Sequence, residues 1–578
     1  MTAVLPDGDA APATFLTALR SGRLDWHRWR DFPRQSTAEE ERGDRLVADT
    51  KAYFTQRVDA TQVDATRELP AGLLDELQDR GYFRLGIGPE LGGLGLSPYN
   101  TFRLIGQICA HSVPIGQIVA IQNGVGAAAM LPALPPGPLR DFVSRRLAEG
   151  TVSGFGDTDR SGQNNARPTL TATPVDGGYL LRGEKLFTGN GPVADLIGVS
   201  ATVLGDGGPK VGACFVDTRD TPGFRVDTRL DFMGSRGLPN GSLRFDDVFV
   251  PTEQVLLDPG RDQLPYRIGL VALLGRIHFT GAPALAIAKR CLDWTREFVA
   301  RRVIDGRGLG EYDEIQRIVT ATLSEVYAME SAVRWSLLDS GLTDRWFERF
   351  ATKNLLVRGA WRIVDRTMSL YGGEGFETVA SKVRRGAVPV PLERAFRDAR
   401  GLRIAGNVDF QLDNQLGRLL LAEHYDATGT GTEAATEAST ETDGVDADEA
   451  GGLSPANRAH LSAVRRHLHD VRRIAIELTR THPDPEQLYA KERTVVLLGR
   501  IAGELFNATA VLARAGADGT PDGDPFWDPQ ELADVYCVEA RHRLTGLLAR
   551  LQPTTAPDHA KISRRWLDGG GADRLVRH

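Results

Sequence analysis

"FMGSRGLPNGSLRFDDVFVP", Phe232 to Pro251, is the stretch on which the fold turns. Gly and Pro in its first half force turns, and "SLRFDDVFVP" that follows is rich in strand-favouring residues. The same texture, short β-rich segments punctuated by Gly and Pro, extends from residue 151 to about 260 and includes "KVGACFVDT". On both sides the spacing is helical, from about 45 to 150, where "GPELGGLGLSP" interrupts with a loop, and from about 262 to 425. Helices, then strands, then helices, without βα alternation, predict segregated domains and not a doubly wound sheet.

Past that body, "DATGTGTEAATEASTETDGVDADEAGG", Asp426 to Gly452, lacks the large apolar side chains that offset ordering entropy and is expected to be a disordered linker. Beyond it, Ser454-Pro455 matches an N-cap and first helical position. Leu461, Val464, Leu468, Val471, Ile474 and Leu478 then follow at helical spacing, and Asp528 to Glu531 resembles a capping box. The expected division is 1–44 extension, 45–150 helical domain, 151–260 β-domain, 261–425 helical domain, 426–452 linker, 453–555 C-terminal helical module and 556–578 tail.

The chain of 578 residues is 41% hydrophobic and 25% charged, enough for a large core, and its net charge of -7 comes from 69 basic and 76 acidic residues mixed along the chain. No basic face stands out for a phosphate backbone, so nucleic acid is not an expected partner. Cys109, Cys214, Cys291 and Cys537 lie far apart, without zinc-site or disulfide spacing, and no metal is expected. Scattered cysteines, the absence of a signal-like N-terminus and the lack of an uninterrupted apolar run of about 18 residues lead to the expectation of a cytoplasmic protein.

The sequence has no GxxxxGK[ST], HExxH or GxSxG, which argues against nucleotide hydrolase, metalloprotease and α/β-hydrolase chemistry. What remains is a set of glycine-bearing turns where backbone N–H groups can approach a phosphate or a flat ring. Their order carries a resemblance. "GYFRLGIGPELGGLGLS" (Gly81–Ser97), "GFGDTDRSGQ" (Gly154–Gln163), "GGYLLRGEKLFTGNGPVAD" (Gly177–Asp195), the opening stretch, "SLYGGEGF" (Ser369–Phe376) and "LERAFRDAR" (Leu392–Arg400) together resemble the acyl-CoA dehydrogenase family.

That resemblance implies a mainly α fold with a central β-barrel between a helical and a four-helix domain, and bound FAD. Carried over by position, Thr158 would hydrogen-bond the isoalloxazine, with Asp159 beside it. Phe187 would lie against the flavin where Trp is frequent, and Gly189 replaces a hydroxyl residue. Arg302 would pair with the pyrophosphate of a neighbouring subunit's FAD, although Asp305-Gly306 follows where the family has Phe-Gly. Gly372 and Gly373 would meet the pyrophosphate, and Asn407 would offer its amide to FAD.

The family's reaction on an acyl thioester removes an α-proton and needs a carboxylate base. In "RDARGLRIAGNVD", Ala405-Gly406-Asn407 stand where Glu-Gly-Thr is usual, and in "LLGRIHFTGAP" Gly275 occupies the other known base position, before Arg276. His278, one helical turn on, and Asp409 are the candidate substitutes; the side-chain pKa of histidine suits a base.

The C-terminal module resembles the very-long-chain branch, which implies a homodimer. Arg465, Arg466, Arg472 and Arg473 near its apolar stripe suit either a solvated face or a peripheral membrane contact. The leading reading is an FAD-dependent oxidoreductase acting on an acyl thioester of CoA or a carrier protein, with an electron-transfer flavoprotein or reductase as partner. The alternatives are a catalytically silent subunit of the same fold and a flavin-dependent monooxygenase.

Overall fold

A computed structural model describes residues 14–163, 165–258, 260, 262–340, 345–429, 450–518, 528–551 and 557–568. The order expected from sequence, helices, strands, helices and a further helical module, is the order found. In the first helical domain Ser36 and Ser97 cap the helices Thr37–Arg57 and Pro98–His111 by accepting from the N–H groups of Glu39 and Asn100. The interrupting loop folds back on itself, Leu94 and Leu96 donating to the carbonyls of Arg84 and Leu85. Gly93 is required there, because a Cβ would sit 2.1 Å from the Ile87 carbonyl oxygen.

The β-domain comprises β1 (Ser153–Gly156), β2 (Thr171–Val175), β3 (Gly178–Gly189), β4 (Leu196–Val203), β5 (Lys210–Asp217), β6 (Phe224–Arg229), β7 (Asn240–Pro251) and β8 (Val255–Leu257). Their order is β6-β7-β3-β2-β4-β5-β8, with β1 on β4. β1 and β2 run parallel to β4, and the other neighbours are antiparallel. The expected closed barrel is absent: this is an open mixed sheet with β6 and β8 at its edges. Closure needs every strand paired on both sides. β8 spans three residues, and β6 carries Arg225, Asp227 and Arg229 along an exposed edge, a composition that blocks further pairing. β4 is buried at every position because both its faces are covered: Leu196 packs with Phe215 on Met130 and Phe142, while Ile197, Val199, Ala201 and Val203 face Leu181 and Phe245.

In the second helical domain Tyr266–Leu274 continues through a π turn, Ile277–Gly281, into Ala282–Arg301. Asp313–Leu337, Trp346–Tyr371, Leu392–Leu402 and Asp409–Gly429 follow. Although no uninterrupted apolar run is evident in the sequence, among the described residues three helical stretches are long and apolar enough to cross a membrane: Val113–Ala133, Tyr266–Arg301 and Glu492–Asp518. Between 78% and 83% of each apolar window is buried in the protein, so this apolarity serves helix packing.

Of the expected linker, residues 430–449 lie outside the described residues, and the helix Asp409–Gly429 runs past its expected start. Ser454 caps Pro455–Thr481 as expected, with Leu461, Val464, Leu468 and Val471 buried. Arg466 and Arg473 are exposed, and Arg465 and Arg472 half-buried. Asp528 accepts from the Gln530 N–H at 2.8 Å, while the Gln530 side chain reaches Ser454 and Asn457, joining two helices of the module.

The N-terminal extension is a wedge. Phe15, Trp26 and Trp29 are buried; Trp29 stacks on Trp335 at 3.8 Å and meets Phe506 edge-on, while Phe15 lies 6.3 Å from Phe347. The Phe15 N–H donates to the buried Glu348 carboxylate at 2.6 Å. Trp29→Ala is expected to cost about 3–5 kcal/mol, the scale for emptying a buried aromatic site, and to lower Tm in calorimetry. Trp566→Ala, at a position 56% exposed, is expected to leave Tm nearly unchanged.

Candidate functional site

The site forms where the β-domain meets the helices. Thr158 and Leu186 link the first two glycine-bearing segments, the Leu186 N–H donating to the Thr158 carbonyl at 2.7 Å. The next residue, Phe187, has φ +55° at an irregularity between β3 and β7. A bulged strand re-aims a side chain, and Phe187 is 59% exposed, its ring 6.4 Å from Phe232. At Gly189 a Cβ would meet Ile121 Cδ1 at 2.5 Å, so glycine is what lets β3 lie close to the helix Val113–Gly124. Asn190 ties the same junction, donating to the carbonyls of Ile118 and Ser153. Asp159 faces inward: it accepts from the Thr169 N–H at 2.6 Å and pairs with the fully buried Lys185 at 3.5 Å. It supports the fold of the segment.

The loop Phe232–Ser235 passes to the helix Leu392–Leu402. A Cβ on Gly234 would lie 2.4 Å from the Arg397 carbonyl oxygen, and the Ser235 N–H donates to Asp398 at 2.6 Å. Burial lifts the pKa of Asp398 to about 6. That helix ends in the turn Ala405-Gly406-Asn407, where Gly406 has φ +62° and Asn407 +73°. Beneath it lies the Arg276 side chain, whose Cγ would be 3.1 Å from a Cβ on Gly406. Burial pulls the Arg276 pKa down to about 10, partly opposed by the Asp157 carboxylate, and its Nη1 is buried without a partner. Lys353, buried in the helix Trp346–Tyr371, donates to the Asn407 carbonyl at 3.0 Å. Burial pulls its pKa down to about 7, with Arg276 adding repulsion. Both polar atoms of the Asn407 amide are buried and unpaired.

Neither usual base position holds a carboxylate, and one cannot: a Cβ on Gly275 would be 1.7 Å from the Gly124 carbonyl oxygen. Asp409 is engaged, accepting from Arg403 Nε at 2.9 Å and Arg358 Nε at 3.2 Å, and these cations overcome its burial to hold its pKa below the usual range. His278 lies on the π turn, with Nε2 3.2 Å from the Pro98 carbonyl and its ring 6.2 Å from Phe102. Burial pushes its pKa down to about 4. As the donor to that carbonyl Nε2 carries the ring proton, which leaves Nδ1 as the acceptor nitrogen of the neutral imidazole.

Arg302, Gly372 and Gly373 form a second cluster. The helices Ala282–Arg301 and Trp346–Tyr371 end side by side, with Phe298 stacked on Tyr371 at 4.2 Å and Arg301 3.8 Å from Glu374. Gly372 and Gly373 are exposed, and a Cβ on either would meet nothing within 4 Å. Arg302 is exposed next to them, and Asp305 with φ +50° sits at the tip of the hairpin that follows. Lys353 and Gly372 lie on one helix, so the two clusters are roughly 28 Å apart at 1.5 Å per residue. A cavity of about 1040 Å³, lined by Phe32, Tyr99, Phe102, Leu285, Arg334 and neighbours, contains no residue of either cluster.

Residues 40–133, 154–248 and 274–416 match, in order, the acyl-CoA dehydrogenase N-terminal, middle and C-terminal domains, more than half of the chain. The chain belongs to the acyl-CoA dehydrogenase family. Among curated members it is 29% identical to "Probable acyl-CoA dehydrogenase FadE10" of Mycobacterium tuberculosis, over 96% of this chain and 88% of that one. It is 26% identical to the mitochondrial "Very long-chain specific acyl-CoA dehydrogenase" of Homo sapiens, over 90% and 82%. In structure it is similar to an acyl-CoA dehydrogenase of Bacillus anthracis complexed with FAD, with a TM-score of 0.72 at 17% identity, covering 97% of this chain and 95% of that one. Butyryl-CoA dehydrogenase of Megasphaera elsdenii matches 66% of this chain and 97% of its own, with a TM-score of 0.56 at 22% identity. Similarity to the longer members extends into the C-terminal module, which the shorter fold lacks.

Sequence reading missed Lys353, Arg358 and Asp413. The available signal was "TKNLLVR", Thr352 to Arg358, where charged and amide side chains flank the apolar run Leu355 to Val357. The pH response of His278 is testable. Unfolded, a histidine titrates near 6.5; folded, His278 titrates near 4, so between those values the unfolded chain binds more protons. The stability of the folded state is then complete above pH 6.5 and drains as pH falls toward 4. His278→Gln is expected to flatten that part of the Tm-against-pH curve. Flattening stays partial, because burial depresses His424 to about 4 as well.

Proposed function

We propose that the protein is an FAD-dependent oxidoreductase acting on an acyl thioester, carried by CoA or a carrier protein, without a carboxylate base at either family position. Membership of the acyl-CoA dehydrogenase family carries this reading. Features of the chain fit FAD: the exposed Phe187, the unpaired amide of Asn407, the unpaired Asn240 Oδ1 and Thr188 Oγ1, and the open backbone at Gly372-Gly373. Phe187, Thr158 and Asn407 would hold the ring system, and Gly372, Gly373 and Arg302 the pyrophosphate. FAD bound there supplies two-electron oxidation of the acyl chain.

The two clusters serve one flavin only if a second copy of the chain brings its Arg302 and Gly372-Gly373 to the first copy's Phe187 and Asn407. The reading therefore includes a homodimer. Arg276 and Lys353 place positive charge beneath the turn, where it stabilises negative charge developing on a bound thioester. Ala405 accepts no proton, so α-proton removal is the step this chain supports least. A catalytically silent subunit is the second reading, and the Gly124–Gly275 contact, which excludes a side chain from the alternative base position, favours it.

The purified protein is expected to be yellow and dimeric in sedimentation, and to show slow or no bleaching of flavin absorbance on anaerobic addition of acyl-CoA. Ala405→Glu, at a half-buried position on the turn, is expected to accelerate bleaching by 10²-fold or more, on the order of what a placed general base contributes. A colourless protein that does not take up FAD would sink the oxidoreductase reading. An Ala405→Glu variant as inert as the parent would favour the silent subunit.

A further inference from the structure

The helix Asp409–Gly429 begins two residues after the site turn, and the C-terminal module grips its first turns. It crosses the module's helix Glu492–Asp518 in backbone contact: a Cβ on Gly417 would be 2.0 Å from the Val495 carbonyl oxygen, and one on Gly499 would be 1.8 Å from that of Asp413. At this crossing Asp413, 1% exposed, is a hub. It accepts from Arg500 Nε of the module at 2.8 Å, Asn354 Nδ2 at 2.9 Å and Arg358 Nη1 at 3.1 Å. Arg358 also holds Asp409, and Asn354 donates to the Asp409 carbonyl at 2.9 Å. Lys353, the residue before Asn354, donates to the Asn407 carbonyl. These hydrogen bonds, joined through the Lys353–Asn354 peptide bond, connect the module to the turn.

We infer that Arg500 is a positioning residue, which acts through Asp413 and Arg358 to fix the turn Ala405-Gly406-Asn407. The role of that turn rests on the function proposed above; the coupling does not. Among the described residues Arg500 is the one member of the set contributed by the module, its side chain 35% exposed against 21% for Arg358 and 2% for Asp413. Without it, Asp413 loses a charge-assisted donor and Arg358 is free to divide differently between Asp409 and Asp413. The left-handed residues of the turn, Gly406 and Asn407, cost energy that surrounding contacts such as these must offset.

The test is hydrogen–deuterium exchange on the full chain, comparing Arg500→Gln with Arg493→Gln, an exposed cation on the same helix. Peptides covering residues 403–409 are expected to exchange about tenfold faster in Arg500→Gln, the scale of one lost charge-assisted hydrogen bond, and at the parent rate in Arg493→Gln. In FAD-loaded protein the flavin absorbance envelope is expected to shift in the first variant only. Parent-like exchange and envelope in a folded Arg500→Gln overturn the inference, as does equal acceleration in Arg493→Gln. Arg500→Lys, which keeps the charge without the Nε donor, carries the same test if Arg500→Gln does not fold. Exchange is read without substrate or flavin, so a protein that binds no FAD defeats the proposed function and leaves this result standing.

Discussion

The hydrogen bond from the Lys353 ammonium to the Asn407 carbonyl is the contact around which this molecule is organised. Placing a lysine inside a helical domain is expensive unless its charge finds acceptors, and here it meets a backbone oxygen with Asp409 and Asp413 nearby. The same contact fixes the end of Leu392–Leu402, the start of Asp409–Gly429 and the turn between them. Arg276 approaches that turn from a different helix, and the loop Phe232–Ser235 comes from the sheet to the helix Leu392–Leu402 that leads into it. Elements of the β-domain and of the second helical domain therefore meet in this small region.

The fold was legible because its signals are local. Gly and Pro punctuation bounded the strands, helical spacing bounded the flanking domains, and Ser454 marked a helix start that its hydrogen bond to Asn457 explains. The open sheet was not legible: whether β6 meets β8 depends on pairing between strands distant in sequence, and neither strand announces its edge except through the charges of β6. The turn at Ala405 was located, since a departure from the expected Glu is visible residue by residue. What surrounds it was not, because Lys353, Arg358, Asp413 and Arg500 converge from three helices and no spacing along the chain relates them.

The surroundings of His278 show what residue type and spacing leave out. Its place one turn after Gly275 is correct, but side-chain direction on a π turn differs from that on an α-helix, and it delivers Nε2 to Pro98. The glycines carry the opposite lesson. Gly124 with Gly275, and Gly417 and Gly499 at their crossing, are read locally as weak helix positions, yet in the fold they are where helices touch backbone to backbone.

The wedge made by Phe15 and Trp29 has a consequence for how the chain is made. These residues are synthesised well before Phe506, which they pack against and which lies nearly five hundred positions later. Until the C-terminal module leaves the ribosome, the leading helices have no finished cavity to enter, and their aromatic faces stay open to solvent or to chaperones. Burial of these aromatic faces waits on the helix that carries Phe506.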